Sequence, residues 1–110
     1  MEYNFFNDRR KTLRKPVKTR VSLQLTELIK GIGYLKDVTP ESLCIVSQEL
    51  FAFFRREHSE IFQDKNLVVT LMEYGLNIEG KIVRADAATS ELVVIVSRIS
   101  DLDAWKKLCR

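Results

Sequence analysis

The chain has few of the residues that build metal sites, disulfide frameworks or catalytic centres. Its 110 residues include a single histidine, His58, and two cysteines, Cys44 and Cys109. The cysteines match neither a CxxC metal spacing nor a disulfide pattern, which indicates reduced thiols. No GxSxG, P-loop, GxGxxG or HExxH motif is present. We therefore expect no catalytic residues, no metal site and no cofactor, and hence a protein that is not an enzyme.

Long apolar segments are missing as well. No stretch approaches the ~20 residues that cross a bilayer, and residues 1–8 lack a basic region followed by an apolar one. With 45% hydrophobic and 30% charged residues, the composition is that of an ordinary globular protein. A chain of 110 residues can bury a core as one domain. We expect a monomeric cytoplasmic protein that does not insert into membranes.

Positive charge is concentrated near the N-terminus. Residues 1–20 contain seven Lys or Arg and two Asp or Glu, which gives +5, whereas the rest of the chain carries −2. This asymmetry favours an anionic partner. A solvated basic tail is the alternative that the charge run alone leaves open.

Alternation of apolar and polar residues predicts six strands. The period of two is clearest at 17–25, and the further strands are predicted at 32–36, 43–46, 67–74, 76–85 and 91–99. Within the fifth strand, Gly80 predicts a bulge or a close backbone approach. In the last, the apolar run 93–96 predicts burial on both faces. Short strands without a βαβ rhythm predict a six-stranded antiparallel β-barrel.

Two helices are predicted beside the strands. Residues 48–63 change to a helical period, with Ser47 as the N-cap, Glu49 in the first turn, and an apolar face formed by Leu50, Phe51, Phe54, Ile61 and Phe62. A C-terminal helix is predicted at 100–110, because Ser100 is followed three residues later by Asp103, as at a helix start. Leu102, Trp105 and Leu108 are predicted to face inward.

The basic segment ahead of the first strand contains an RxxxR pattern. Arg10 and Arg14 are four residues apart, and Arg9 adjoins them. A guanidinium group binds phosphate or the O6/N7 edge of guanine through two parallel hydrogen bonds, and its flat face stacks on a base. Two such arginines therefore suit a compact anionic nucleotide.

A second polar element lies near the end of the second predicted strand. The sequence from 37 to 42 reads DVTPES, so that Asp37 is able to accept hydrogen bonds from the Watson–Crick edge of a guanine and Thr39 offers a hydroxyl. Taken alone, these are also ordinary turn and capping residues.

The two elements together resemble the PilZ family across residues 9–108. That family pairs RxxxR with a [D/N]xSxxG motif on a six-stranded barrel with a C-terminal helix, and a strand similar to 80–84 (GKIVR) is common in it. The resemblance implies that cyclic di-GMP is the ligand. It implies that Arg10 and Arg14, assisted by Arg9, hold the phosphates and guanine faces, and that Asp37, Thr39 and Ser42 line the other side.

The implied domain organisation has two parts. Residues 1–16 would be a flexible basic arm that folds over the barrel when ligand binds. Residues 17–110 would be the barrel, with the inserted helix 48–63 and the C-terminal helix 100–110. The arm would thereby signal to a protein partner that controls motility, adhesion or exopolysaccharide output.

Two departures from the family motif keep alternatives open. Thr39 stands where the family has serine, and Ser42 stands where it has glycine, which costs energy or ligand contact if that site needs a positive φ or a close approach. One alternative is therefore a degenerate PilZ adaptor that binds protein without nucleotide. Another is a barrel that binds single-stranded nucleic acid through its arm. We expect no nucleic-acid polymer as partner, because the chain past residue 20 is net acidic and shows no stacking platform.

Overall fold

The computed structural model describes residues 15–52 and 62–110. The elements in these ranges are β1 (Lys15–Gln24), β2 (Lys30–Thr39), β3 (Ser42–Val46), α1 (Gln48–Phe51), β4 (Asn66–Leu71), β5 (Leu76–Asp86), β6 (Glu91–Ile99) and α2 (Leu102–Cys109). Each predicted strand is present. The largest difference is in β2, which is ten residues long and extends beyond the predicted 32–36 at both ends.

The six strands close into an antiparallel barrel. Their order around the barrel is β1-β2-β3-β6-β5-β4, and β4 pairs with β1 to complete the ring. The predicted six-stranded barrel is therefore confirmed. Closure gives every strand a hydrogen-bonded neighbour on both sides, which limits the exposed sheet edge that favours edge-to-edge aggregation.

The core lies inside the barrel and is built by the inward-facing half of each strand. Burial alternates strictly from Pro16 to Leu23 in β1 and from Leu76 to Val83 in β5, as the period of two predicts. The fully buried apolar residues of the strands include Val21, Leu23, Leu35, Ile45, Val69, Leu71, Ile78, Ile82, Leu92 and Val94. Leu50, Phe62 and Trp105 extend this core beyond the strands.

The last strand differs from its prediction. Leu92 and Val94 face the core, but Ile95 lies on the outer surface and is 42% exposed. The predicted burial of β6 on both faces is therefore wrong. Along this strand the apolar run therefore alternates between core positions and less buried ones.

The fifth strand confirms the role expected of Gly80. The pairing of β5 with β6 shifts register between Glu79 and Gly80. A Cβ atom added at Gly80 would stand 2.5 Å from the carbonyl oxygen of Ile95. The two backbones therefore approach too closely for any side chain at this position.

The start of the inserted helix agrees with its prediction, but the predicted end does not. The Ser47 hydroxyl accepts a hydrogen bond from the backbone N–H of Leu50 at 3.0 Å, and Glu49 lies in the first turn. The described helix ends at Phe51, and residues 53–61, including the predicted face residues Phe54 and Ile61, lie outside the described ranges. Gln63, the predicted last helical residue, is in a turn because Asp64 takes a positive φ of 63°.

The C-terminal helix begins later than predicted. Asp101, not Ser100, is the N-cap, and its carboxylate accepts from the N–H of Ala104 at 3.1 Å. Ser100 instead accepts from the N–H of Asn77 at 3.0 Å, which fixes it to the start of β5. Of the three side chains predicted to face inward, Trp105 is buried and Leu108 packs against the core, but Leu102 is 52% exposed. Leu102 follows the cap directly and lies beyond the barrel wall.

Candidate functional site

A bulge in β2 turns two consecutive side chains toward the outside of the barrel. Leu35 pairs with Ile45 of β3 and Asp37 pairs with Cys44, so Lys36 has no opposite residue on that strand. Leu35 and Val38 are buried, whereas Lys36 is exposed and Asp37 is half-buried. The extra residue breaks the period of two. It thereby places the carboxylate of Asp37 on the outer surface beside a lysine.

The two other motif residues of this hairpin meet at its end. Thr39 and Ser42 pair across the turn formed by Pro40 and Glu41, and their hydroxyl oxygens are 2.8 Å apart. The Thr39 hydroxyl also accepts a hydrogen bond from the backbone N–H of Glu41 at 3.3 Å. In the described ranges the only non-glycine residues with positive φ are Asp64 and Ser90. Ser42 therefore replaces the motif glycine without backbone strain, and what it adds is a hydroxyl bonded to Thr39.

The C-terminal helix and β6 hold this turn from behind. The Trp105 indole N–H donates to the carbonyl oxygen of Pro40 at 3.0 Å, and the N–H of Val96 donates to the carbonyl of Glu41 at 2.8 Å. The Cys109 thiol lies 3.7 Å from the carbonyl oxygen of Thr39, and its burial raises its pKa. Both residues of the turn are thus bonded through their backbone to distant parts of the chain.

An ion pair lies on the same outer surface. Lys36 Nζ is 2.8 Å from a carboxylate oxygen of Glu91, at the start of β6. The hydrogen bond to Glu91 and the charge of this carboxylate raise the pKa of Lys36. The Cys44 thiol lies 4.0 Å from the other oxygen of Glu91 and is almost fully buried. The charge of Lys36 is therefore already paired with that of Glu91, which makes Lys36 less suited to binding an anion.

A cavity of about 440 Å³ opens beside Asp37. Its other lining residues are Pro16, Lys18, Tyr34, Lys36, Val46, Thr89 and Glu91. Sequence reasoning did not select Lys18, Tyr34, Lys36 or Glu91 as site residues. For Lys18 and Tyr34 a signal existed, since both lie at outward positions of predicted strands. No such signal existed for Glu91, because it lies on β6, far along the chain from β2.

The structure brings together some of the predicted site residues and leaves others outside its described ranges. Asp37, Thr39 and Ser42 lie on one outer region at the β2–β3 turn. Arg9, Arg10 and Arg14 precede the described residues. Lys15, the residue that follows Arg14, pairs with Val38. The basic segment therefore enters the barrel at a residue that pairs with Val38. Val38 lies between Asp37 and Thr39 of the second motif.

Metal-binding groups and membrane-spanning helices can be checked in residues 15–52 and 62–110. This part of the chain holds no group of three or more His, Cys, Asp or Glu side chains that would bind a metal ion. None of its helices has the length and apolar composition needed to cross a membrane. His58 lies outside the described ranges.

Comparison with known proteins gives structural matches only. No protein-family model matches the sequence, and no curated protein does so. Among solved structures, the Bacillus subtilis inhibitor of motility (MotI/DgrA) is similar with a TM-score of 0.59 and 17% identity over 92% of this chain. The K. pneumonia MrkH–c-di-GMP complex is similar with a TM-score of 0.54 and 14% identity over 91% of this chain.

The two matched proteins are longer than this chain. It spans about half the length of both solved proteins, 49% of the first and 48% of the second. At these sequence identities the likeness establishes the fold. The chain therefore has the PilZ-type barrel fold that its two sequence motifs predict.

Proposed function

We propose that this chain is a cyclic di-GMP receptor domain without enzymatic activity, which signals to a protein partner in the control of motility, adhesion or exopolysaccharide output. The observation that carries the proposal is the register of β1 with β2, since Lys15 pairs with Val38. Through this pairing, the residue that follows Arg14 lies beside the segment that contains Asp37, Thr39 and Ser42. The two halves of the motif are thus neighbours at their point of attachment.

Chain length limits how far the arginines can be from the second motif. Arg14 is bonded to Lys15, and Arg10 is five residues from it, so its Cα lies within about 18 Å of that of Lys15. Both guanidinium groups are therefore able to reach a ligand that lies on the outer surface at Asp37. Arg9 is one residue further away.

The chemistry of the two halves is complementary to a cyclic guanine dinucleotide. The arginines supply paired donors for phosphate oxygens and a flat face for a base. Asp37 supplies acceptors for the N1–H and amino group of guanine, and Thr39 supplies a hydroxyl. The likeness to the structures of a motility inhibitor and of a c-di-GMP complex supports the same ligand and the same kind of output.

Isothermal titration calorimetry with cyclic di-GMP tests the proposal. We expect saturable binding by the native chain and a loss of at least about 100-fold in Arg10→Ala/Arg14→Ala, because hydrogen bonds to charged groups contribute roughly 1.5–3 kcal/mol each. The matched control is Lys30→Ala/Lys65→Ala, which removes the same charge on exposed residues that do not line the cavity beside Asp37. Its affinity should stay within about threefold. Full affinity of the arginine double variant would contradict the proposal.

A second candidate function is favoured by the Thr39–Ser42 contact. The Ser42 hydroxyl occupies the position of the motif glycine and is bonded to the hydroxyl of Thr39. If this pair blocks close approach of the nucleotide, the domain is an adaptor that binds protein alone. Ser42→Gly separates the two functions. Binding of cyclic di-GMP by this variant, where the native chain shows none, would support the adaptor, and equal affinity of both proteins would favour the receptor.

A further inference from the structure

The cavity beside Asp37 extends the outer surface beyond the residues of the two motifs. It lies between β1, β2, the end of β3 and the turn that precedes β6, and its volume is about 440 Å³. Ligand pockets in proteins generally measure about 300–1,000 Å³. The cavity therefore falls within the size range of small-molecule sites and has room for a nucleotide unit.

Tyr34 forms the aromatic part of this cavity. It faces outward from β2 between Arg20 and Val46 on the neighbouring strands, and its side chain is 51% exposed. Within the described ranges the aromatic pair is Phe51 with Phe62, and Tyr34 has no ring contact. A half-exposed ring on a cavity wall offers a stacking face that any nucleobase can use.

Lys18 provides the available positive charge of the cavity. It faces outward from β1, and in residues 15–52 and 62–110 it takes part in no ion pair, whereas Lys36 is paired with Glu91. An ammonium group that has no ion pair within the described ranges, and that lines the same cavity as a stacking ring, is placed to neutralise a phosphate. The carboxylates of Asp37 and Glu91 on the same cavity accept hydrogen bonds. Guanine offers two donors at its Watson–Crick edge, which suits the two carboxylate oxygens of Asp37, because the oxygens of Glu91 already face Lys36 and Cys44.

We infer that this cavity holds one guanine nucleotide unit of the ligand, with the base stacked on Tyr34 and a phosphate oxygen bonded to Lys18. This inference rests on the proposed function and names two residues that lie outside both sequence motifs. Tyr34 and Lys18 are binding residues here, and they make part of the affinity independent of the arginine arm.

The affinity of single variants for cyclic di-GMP tests the inference. Base stacking on an aromatic residue contributes about 1–3 kcal/mol by alanine substitution, so Tyr34→Ala should bind about 5- to 150-fold more weakly. Tyr34→Phe retains the ring and should stay within about threefold of the native chain. The matched control is Tyr74→Ala, because Tyr74 is similarly exposed at 48% but lies on the turn between β4 and β5.

Lys18 is tested by its charge. Lys18→Ala should weaken binding about fivefold and reduce the dependence of affinity on salt, since it removes one contact to phosphate. Lys30→Ala removes another exposed lysine, at the start of β2 and outside the cavity lining, and should change neither quantity. Circular dichroism of each variant shows whether the barrel is folded.

A spectroscopic measurement keeps the test independent of any loss of stability. In the native chain, stacking of a purine on Tyr34 should move the ring resonances of this residue upfield on addition of cyclic di-GMP, while those of Tyr74 stay unchanged. The ring resonances of Tyr34 are assigned by their absence from the spectrum of the Tyr34→Phe variant.

The possible failures are distinguishable. If the native chain binds, the arginine double variant does not, and Tyr34→Ala binds like the native chain with unshifted Tyr34 resonances, this inference is overturned and the receptor function remains. If the native chain binds no cyclic di-GMP at all, both fail together.

Discussion

Two hairpins of the same barrel differ in the regularity of their pairing. The β4–β5 hairpin pairs six residues on each strand without a register shift, and its inner residues Val69, Leu71, Leu76 and Ile78 are almost completely buried. The β2–β3 hairpin contains the bulge at Lys36, and three of its outer polar side chains have side-chain partners: Thr39 and Ser42 contact each other, and Lys36 pairs with Glu91. Regular pairing thus maximises the buried apolar surface, whereas the bulge places polar groups on the outside.

The regular β4–β5 hairpin contributes mainly to the core, whereas the bulged β2–β3 hairpin contains the candidate binding residues Asp37, Thr39 and Ser42. In a hairpin with strict alternation, every second side chain points into the core. A bulged hairpin frees one residue from that alternation and directs it outward, at the expense of one position in the ladder. The substitutions below are expected to separate these two roles.

The largest effect is expected in the regular hairpin. Ile78→Ala removes a fully buried side chain of β5 and should lower the free energy of unfolding by about 2–5 kcal/mol. The adjacent outward residue provides the control, since Glu79→Ala should change stability by less than about 0.5 kcal/mol. Urea unfolding followed by circular dichroism measures both. Equal losses in the two variants would show that this hairpin is not the support that we describe.

A steric prediction distinguishes two glycines of β2. A Cβ atom at Gly33 would collide with the carbonyl oxygen of Val46 and stand 2.8 Å from the Cβ of Ser47, whereas at Gly31 the nearest atoms are 3.4 Å away. Gly33→Ala should therefore cost about 1–3 kcal/mol of stability through overpacking. Gly31→Ala should be nearly neutral in the same unfolding measurement. A neutral Gly33→Ala would mean that the chain between β3 and α1 moves aside easily.

A smaller effect is expected from the polar pair of the bulged hairpin. Thr39→Val keeps the shape of the side chain but removes its hydrogen bonds with Ser42 and with the N–H of Glu41. Because both partners are accessible to water, the loss of stability should be about 0.5–1.5 kcal/mol. Affinity for cyclic di-GMP should also fall, because the proposed site uses the Thr39 hydroxyl. Thermal unfolding measures the stability of this variant, and calorimetry measures its affinity for cyclic di-GMP. A loss of stability as large as that of Ile78→Ala would contradict the difference between the two hairpins.

The smallest effect concerns thiol reactivity. Burial raises the pKa of Cys109, so a smaller fraction of it is thiolate at mildly alkaline pH than for a free cysteine, and alkylation should be slow and should accelerate as the pH rises. Cys44, which is 4% exposed, should react only after unfolding. Mass spectrometry after iodoacetamide treatment, with Cys109→Ser as control, counts the modified thiols. Rapid labelling of Cys44 in the folded chain would contradict the tight packing of the bulged hairpin.

The strands of this barrel could be predicted because local alternation determines which face each residue takes. The bulge at Lys36 could not, since nothing in the residues around it distinguishes an inserted position from an ordinary one. The prediction for β6 failed for a related reason: a run of four apolar residues does not reveal whether a second layer covers the strand, and here Ile95 is exposed.

The candidate site could be predicted where the motif itself is local. Asp37, Thr39 and Ser42 lie within six residues, and the turn brings the last two into contact. The contribution of Glu91 depends on closure of the barrel, because it lies 55 residues from Lys36, with which it pairs. Tyr34 and Lys18 become neighbours only when β1 and β2 pair around the irregularity between Pro16 and Thr19.

The bond between Trp105 and the carbonyl of Pro40 gives the domain an intrinsic optical reporter. Trp105 is the single tryptophan of the chain, and its indole N–H rests on the turn that joins Thr39 to Ser42. Its emission therefore comes from one known place, and a change in the polarity around that place alters its wavelength. Events at the β2–β3 turn should be visible in the fluorescence of the unlabelled protein, with no dye or second tryptophan to interpret.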